Sequence, residues 1–87
     1  MPVVWIPAGL RSLTNQQESV RLGGATIREL IDQLDGRFPG IKDRLCEGDH
    51  LRTGLAVVID TEVIRAGLEQ AVAENSEVHF LQAIGGG

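Results

Sequence analysis

Apolar and polar positions along this chain repeat with two different periods, and the places where the period changes mark out its elements. Val3 to Pro7, VVWIP, is β-branched and aromatic and has the length of a strand, which Pro7 closes because proline has no N–H for a ladder. Glu18 to Leu22, ESVRL, alternates and puts Val20 and Leu22 on one face. Arg11 to Gln17, rich in Ser, Thr, Asn and Gln, is expected to be the hairpin loop between these strands, and Gly23-Gly24 breaks the second one. The period then changes. Ile27, Leu30, Ile31 and Leu34 recur at helical spacing, Phe38 extends their stripe, and Thr26 with Glu29 has the T-x-x-E spacing of a capping box. A helix is therefore predicted from Ile27 to the residues before Pro39, whose ring would clash with the preceding turn. GIKDRL offers one more short helical turn with Ile41 and Leu45 inward. Glu47 to Thr53 reads as a polar loop. GLAVVIDTEVI reads as a tight hairpin with Leu55, Val57 and Ile59 on one face and Asp60-Thr61 at the reversal. GLEQAVAENSE is a connection anchored by Leu68 and Val72, with room for a helical turn. Glu77 to Gln82 is the last strand, with Val78 and Phe80 inward.

The predicted order is β-β-α-β-β-β, an α+β chain in which one substantial helix covers one apolar face of a mixed sheet. Pairing the two terminal strands in the middle of that sheet produces the β-grasp arrangement of ubiquitin, with the last strand central. The helix stripe and strand faces bury about a dozen large side chains, each contributing roughly 1.5–3 kcal/mol before entropy is subtracted.

Composition narrows the classes. Eighty-seven residues make a single domain, 1–87, and a 43% apolar share is that of a globular chain. A net charge of −4 argues against a basic face for nucleic acid and favours a basic partner surface. Lys42 is the only lysine, and the lone Cys46 cannot form an internal disulfide, as suits a reducing compartment. Neither a signal peptide nor a membrane-length apolar run is evident, so a cytoplasmic location is expected, without membrane association.

The chain ends in three glycines immediately after its last strand, AIGGG over 83–87. Such a run is expected to be an exposed, flexible tail. Taken alone, it also suits a frayed end or an appended scar. The order of elements ending in FLQAIGGG resembles the MoaD/ThiS family of ubiquitin-like sulfur carriers. IPAGLRSLT, FPGIKDRL, LRTGLAVVIDTEVIR and VHFLQAIGGG look most like its CysO-type branch, which serves a cysteine synthase. Gln82, where the family often has proline, and the third glycine are departures from the family pattern.

The resemblance implies a carrier, a protein co-substrate rather than an enzyme. An adenylating enzyme of the ubiquitin-activating type uses ATP to convert the Gly87 carboxylate to an acyl-adenylate; a sulfur nucleophile displaces AMP and leaves a thiocarboxylate. The chain itself binds no cofactor. Ala83, Ile84, Gly85 and Gly86 thread the acyl group into the partner, a path that favours residues without bulky side chains. The sulfur acceptor is a synthase, with cysteine synthase favoured over the large subunit of molybdopterin synthase. A ubiquitin-like modifier joined to target lysines, or an interaction module whose tail is irrelevant, are the alternatives.

If Val4 and Ile6 point inward, alternation sends Val3 and Trp5 outward, and by the same rule Ala56, Val58 and Leu81. Trp5, Val58 and Leu81 are accordingly expected to form a partner-binding sheet face; a one-residue register slip would instead bury Trp5. The remaining candidates have plainer readings. Cys46 lacks a neighbouring base, and its C-x3-H spacing to His50 is half a zinc site at most, so no metal site is expected. His79 is read as an outward strand position. LGGAT is a turn rather than a phosphate loop. Glu29, Asp32 and Asp35 lie on a solvated helix face, and Arg52 and Arg65 are read as surface charges.

Overall fold

The computed structural model describes residues 1–64 and 67–82. Its strands are β1 (Val3–Trp5), β2 (Ser19–Arg21), β3 (Cys46–Glu47), β4 (His50–Leu51), β5 (Leu55–Ile59), β6 (Glu62–Ile64) and β7 (Glu77–Gln82). Its α-helices are α1 (Ile27–Arg37) and α2 (Ile41–Leu45), and a 3-10 helix covers Ala8–Thr14. Five strands form one sheet in the order β2-β1-β7-β5-β6, with β7 parallel to β1 and antiparallel to β5. The last strand is thus central and pairs with the first, the ubiquitin-like β-grasp arrangement. Val4, Val20, Val57, Val78 and Phe80 from the sheet join Ile27, Leu30, Ile31 and Leu34 from α1 in one buried cluster.

Thr26 caps the helix as its spacing implies, while the Glu29 carboxylate reaches one residue past the cap. The Thr26 hydroxyl accepts from the Glu29 N–H at 3.2 Å, and the Glu29 carboxylate accepts from the Ala25 N–H at 2.9 Å. The next two orphan donors of α1 are satisfied from far along the chain: Ile27 N–H donates to the Gln70 carbonyl and Arg28 N–H to the Leu68 carbonyl. Arg28 also pairs with Glu69 at 2.6 Å. The connection before β7 is therefore clamped across the start of α1, with Leu68 and Val72 buried beneath it. Gly24 suits this close approach, because a Cβ would lie 3.0 Å from a Leu30 methyl and 3.1 Å from the Leu30 nitrogen. At the other end, Gly40 takes a φ of 102° to turn the chain from α1 into α2.

Two predicted loops are corrected. Arg11 to Gln17, expected to be an irregular hairpin loop, is largely helical: the 3-10 helix begins at Ala8 and ends at Thr14. Leu10 and Leu13 pack against the core, and the buried Thr14 hydroxyl lies 3.2 Å from the Arg11 carbonyl and 3.0 Å from that of Gln17. Three-residue apolar spacing and a back-bonding threonine outweigh the polar composition. The polar stretch Glu47 to Thr53 begins inside a two-stranded hairpin, in which Cys46 pairs with Leu51 and Glu47 with His50 around Gly48 at φ 65°. The connection after Gly67 contains turns and an isolated bridge from Ala71 to Thr26, without a described helix.

Candidate functional site

The parallel pairing of β1 with β7 decides which side chains share the open side of the sheet. Register sets Trp5 beside His79, His79 beside Val58, and Val58 beside Val63, with Ser19 flanking Trp5 on the other side. One row of outward residues therefore crosses all five strands. Leu81 extends it toward the end of β7, opposite Ala56. Val4, Ile6, Val57, Val78 and Phe80, their neighbours in sequence, are buried, so the alternation predicted for β1, β5 and β7 is the one observed.

Within the row, Trp5 and His79 stack in parallel, with ring centroids 5.4 Å apart and planes 2° apart. The Trp5 indole N–H donates to the Glu77 carboxylate at 3.0 Å, so the polar edge of the ring is satisfied on the protein's own surface. The Trp5 ring is held flat and partly covered, with little rotamer freedom left. Trp5 and Val58 are half-buried, Leu81 is 49% exposed and Val63 is 61% exposed. Together they form a contiguous apolar strip with one imidazole near its middle. The predicted trio Trp5, Val58 and Leu81 thus lies on one face. Val63 and the aromatic stack were not anticipated: Val63 was legible as the cross-strand partner of Val58, whereas the stack depends on side-chain packing.

The strip leads to the root of the tail. Gln82 pairs with Leu55 in the last rung of the sheet, and Asp60 holds the opposite end of β7. The Asp60 carboxylate accepts from the Glu77 N–H and the Ser76 hydroxyl, each at 3.0 Å. The tail residues Ala83, Ile84, Gly85, Gly86 and Gly87 lie outside the described residues, as does Arg65.

The other candidates have local structural tasks. Asp32 binds the Lys42 ammonium at 2.7 Å, and this hydrogen bond raises the amine's pKa. One Asp35 carboxylate oxygen accepts from the Gly40 and Lys42 N–H groups at 3.1 and 3.0 Å, closing the turn into α2. Cys46 is buried in the core, and burial pushes its thiol pKa up, away from the reactive thiolate. His50, exposed on the next strand, is not gathered with it. Arg52 donates its Nε–H to the Asp43 carbonyl at 2.8 Å. Among the described residues, no helix is long and apolar enough to cross a membrane.

The ThiS family profile matches residues 4–87. The sulfur carrier protein CysO of Mycobacterium tuberculosis (strain H37Rv) is 33% identical over 89 residues, covering 97% of this chain and 96% of that protein. In the crystal structure of the Amycolatopsis orientalis BexX/CysO complex, a chain 36% identical superposes with a TM-score of 0.91 over 100% of both chains. The crystal structure of M. tuberculosis CysO, 30% identical, superposes at 0.88 over 97% of this chain and 100% of its own.

Proposed function

We propose that this chain, which belongs to the ThiS family and is a sulfur carrier, bears its sulfur on the terminal carbonyl of Gly87. It is a carrier rather than an enzyme, as its family and relatives are. The observation that supports the reading best is the register of β7. The strand that leads into the tail is the central one, tied to β1 and β5 as far as Gln82, so the point at which the tail begins is fixed by the sheet.

The chemistry follows from what a carboxylate lacks. It is a poor acyl donor until one oxygen becomes a leaving group. In our reading a partner enzyme binds ATP, the Gly87 carboxylate attacks its α-phosphate, and pyrophosphate leaves. A sulfide-level nucleophile then attacks the acyl carbon, the C–O bond to AMP breaks, and the thiocarboxylate remains. Ala83, Ile84, Gly85 and Gly86 are the leash. Fixing them in a channel costs about 1–2 kcal/mol each in backbone freedom. Docking of the folded domain offsets that, and the strip formed by Trp5, Val58 and Leu81 is the surface we assign to it. The sulfur acceptor is a synthase, and cysteine synthesis is the favoured destination given the CysO relatives. Because the reaction draws on ATP and sulfide, we assign the carrier to the cytoplasm.

Intact-mass measurement tests the reading. Incubation with ATP, the activating enzyme and sulfide is expected to add about 16 Da, one oxygen exchanged for sulfur at the acyl carbon. Blocking of that gain by Gly87→Trp supports delivery through a narrow channel. Undiminished loading of Gly87→Trp contradicts it, and products at the mass of a second protein show a modifier instead.

A further inference from the structure

Two clefts flank the end of β7, and their charge is opposite to that of the chain as a whole. One, of about 380 Å³, lies on the β1 side, floored by Pro7, Leu10, Leu55, Phe80 and Leu81, with Arg44 of α2 on its wall. The other, of about 510 Å³, lies on the β5–β6 side, where Leu51, Ala56, Val63 and Ile64 meet His50 and Arg52. Leu55 belongs to both, and Leu55 is the residue paired with Gln82. Gln82, the last residue before the tail, therefore lies on the rung that both clefts share. No acidic residue lines either cleft among the described residues, although the chain carries 12 Asp and Glu against 8 Lys and Arg. Arg44 and Arg52 make no ion pair among the described residues, whereas Arg28 and Lys42 do. At the other end of β7 the sign reverses: Asp60 binds the Glu77 N–H, and Glu62 pairs with Ile59.

We infer that these clefts are the docking sockets for the ATP-dependent activating enzyme, and that its channel mouth presents carboxylates to Arg44 and Arg52 and an apolar side chain to the Leu10–Leu55–Leu81 cleft. This rests on the carrier reading above and adds to it which end of the domain is gripped and by what chemistry. Arginine is the residue suited to the task, since its charge is permanent and its planar fork matches a carboxylate. Arginine-walled clefts on a net-negative body also orient the encounter: a channel mouth bearing carboxylates finds its attractive contacts in these clefts and not at the end near Asp60 and Glu62.

The test uses the full-length chain and the ATP-dependent activating enzyme that loads it, with pyrophosphate exchange followed against carrier concentration. Arg44→Glu reverses an exposed charge whose side chain has no described hydrogen bond, so the fold should persist. It is expected to raise the KM for the carrier by about tenfold or more, with kcat within about twofold, because the charge acts on docking. Arg21→Glu, the same reversal beside Val3 at the acidic end, is expected to leave KM within about threefold. Arg52→Gln, which removes a charge without adding one, is expected to raise KM by a smaller factor. Equal effects of Arg44→Glu and Arg21→Glu, or none from Arg44→Glu, overturn the inference. If Arg44→Glu melts early, wild-type KM against ionic strength decides: a rise with salt supports the sockets and a flat profile overturns them. A wild-type chain that supports no exchange at all overturns the carrier mechanism, and the sockets with it, an outcome distinct from exchange with an unchanged KM.

Discussion

Phe80 and Leu81 are neighbours on one strand, and replacing each with alanine separates stability from docking within two residues. Phe80 is 1% exposed, with its ring inside the core, while Leu81 is 49% exposed on the opposite face. Truncating a buried phenylalanine removes its transfer free energy and leaves a cavity, together about 3–5 kcal/mol. Leu81 has only half of its surface covered, so truncation forfeits about half of the 1.5–3 kcal/mol assigned to a fully buried leucine, or about 1 kcal/mol. A domain of this size loses about 4–8 °C of Tm per kcal/mol, so Phe80→Ala should melt at least about 12 °C lower and Leu81→Ala less than about 10 °C lower. Thermal unfolding followed by far-UV circular dichroism measures both. The same variants are then assayed for nucleotide-dependent loading below their melting temperatures. Leu81→Ala is expected to raise the KM for the carrier at temperatures where it is fully folded. Equal melting temperatures for the two variants, or a larger loss from Leu81→Ala, would refute the alternation of β7 and with it the assignment of the open face.

The other expectations concern the elements that hold this geometry. Thr26→Ala removes the hydroxyl that accepts from Glu29 N–H and should cost about 0.5–2 kcal/mol in urea denaturation, with Thr26→Ser restoring most of it. Cys46 should react with a thiol reagent far more slowly than free cysteine at pH 8, and at the free rate once unfolded, because burial raises its pKa. That shift has a definite sign in stability: the native state holds the proton more tightly, so Cys46 leaves stability unchanged below the unfolded thiol's pKa and lowers it as pH climbs through the folded one. A Cys46→Ala variant with an unaltered alkaline limb of the stability profile would contradict this. Asp32→Ala removes the carboxylate whose hydrogen bond raises the Lys42 amine's pKa, so Lys42 acylation by a water-soluble active ester, mapped by peptide mass, should accelerate relative to the N-terminal amine. An unchanged ratio would show that the pair has no hold on the amine.

Much of this molecule follows from local rules that a sequence states openly. Thr26 and Glu29 mark the start of α1, Pro39 marks its end, and the stripe from Ile27 to Leu34 names its buried side. Period-two alternation in β1, β5 and β7 names the inward residues, and a resemblance carried by the tail and element order points to the family. The places where local reasoning failed are those where distant contacts overrule composition. The 3-10 helix forms in a polar stretch because Leu10 and Leu13 find the core, and the β3–β4 hairpin forms because Cys46 is drawn into it. The start of α1 is completed by carbonyls of Leu68 and Gln70, some forty residues on. Above all, the parallel pairing of β1 with β7 is a long-range choice. It stacks Trp5 on His79, residues 74 positions apart in the chain, and makes the last strand the centre of the sheet. Sequence spacing encodes which way a residue faces along its own element; which residues become neighbours across elements is decided only when the core closes.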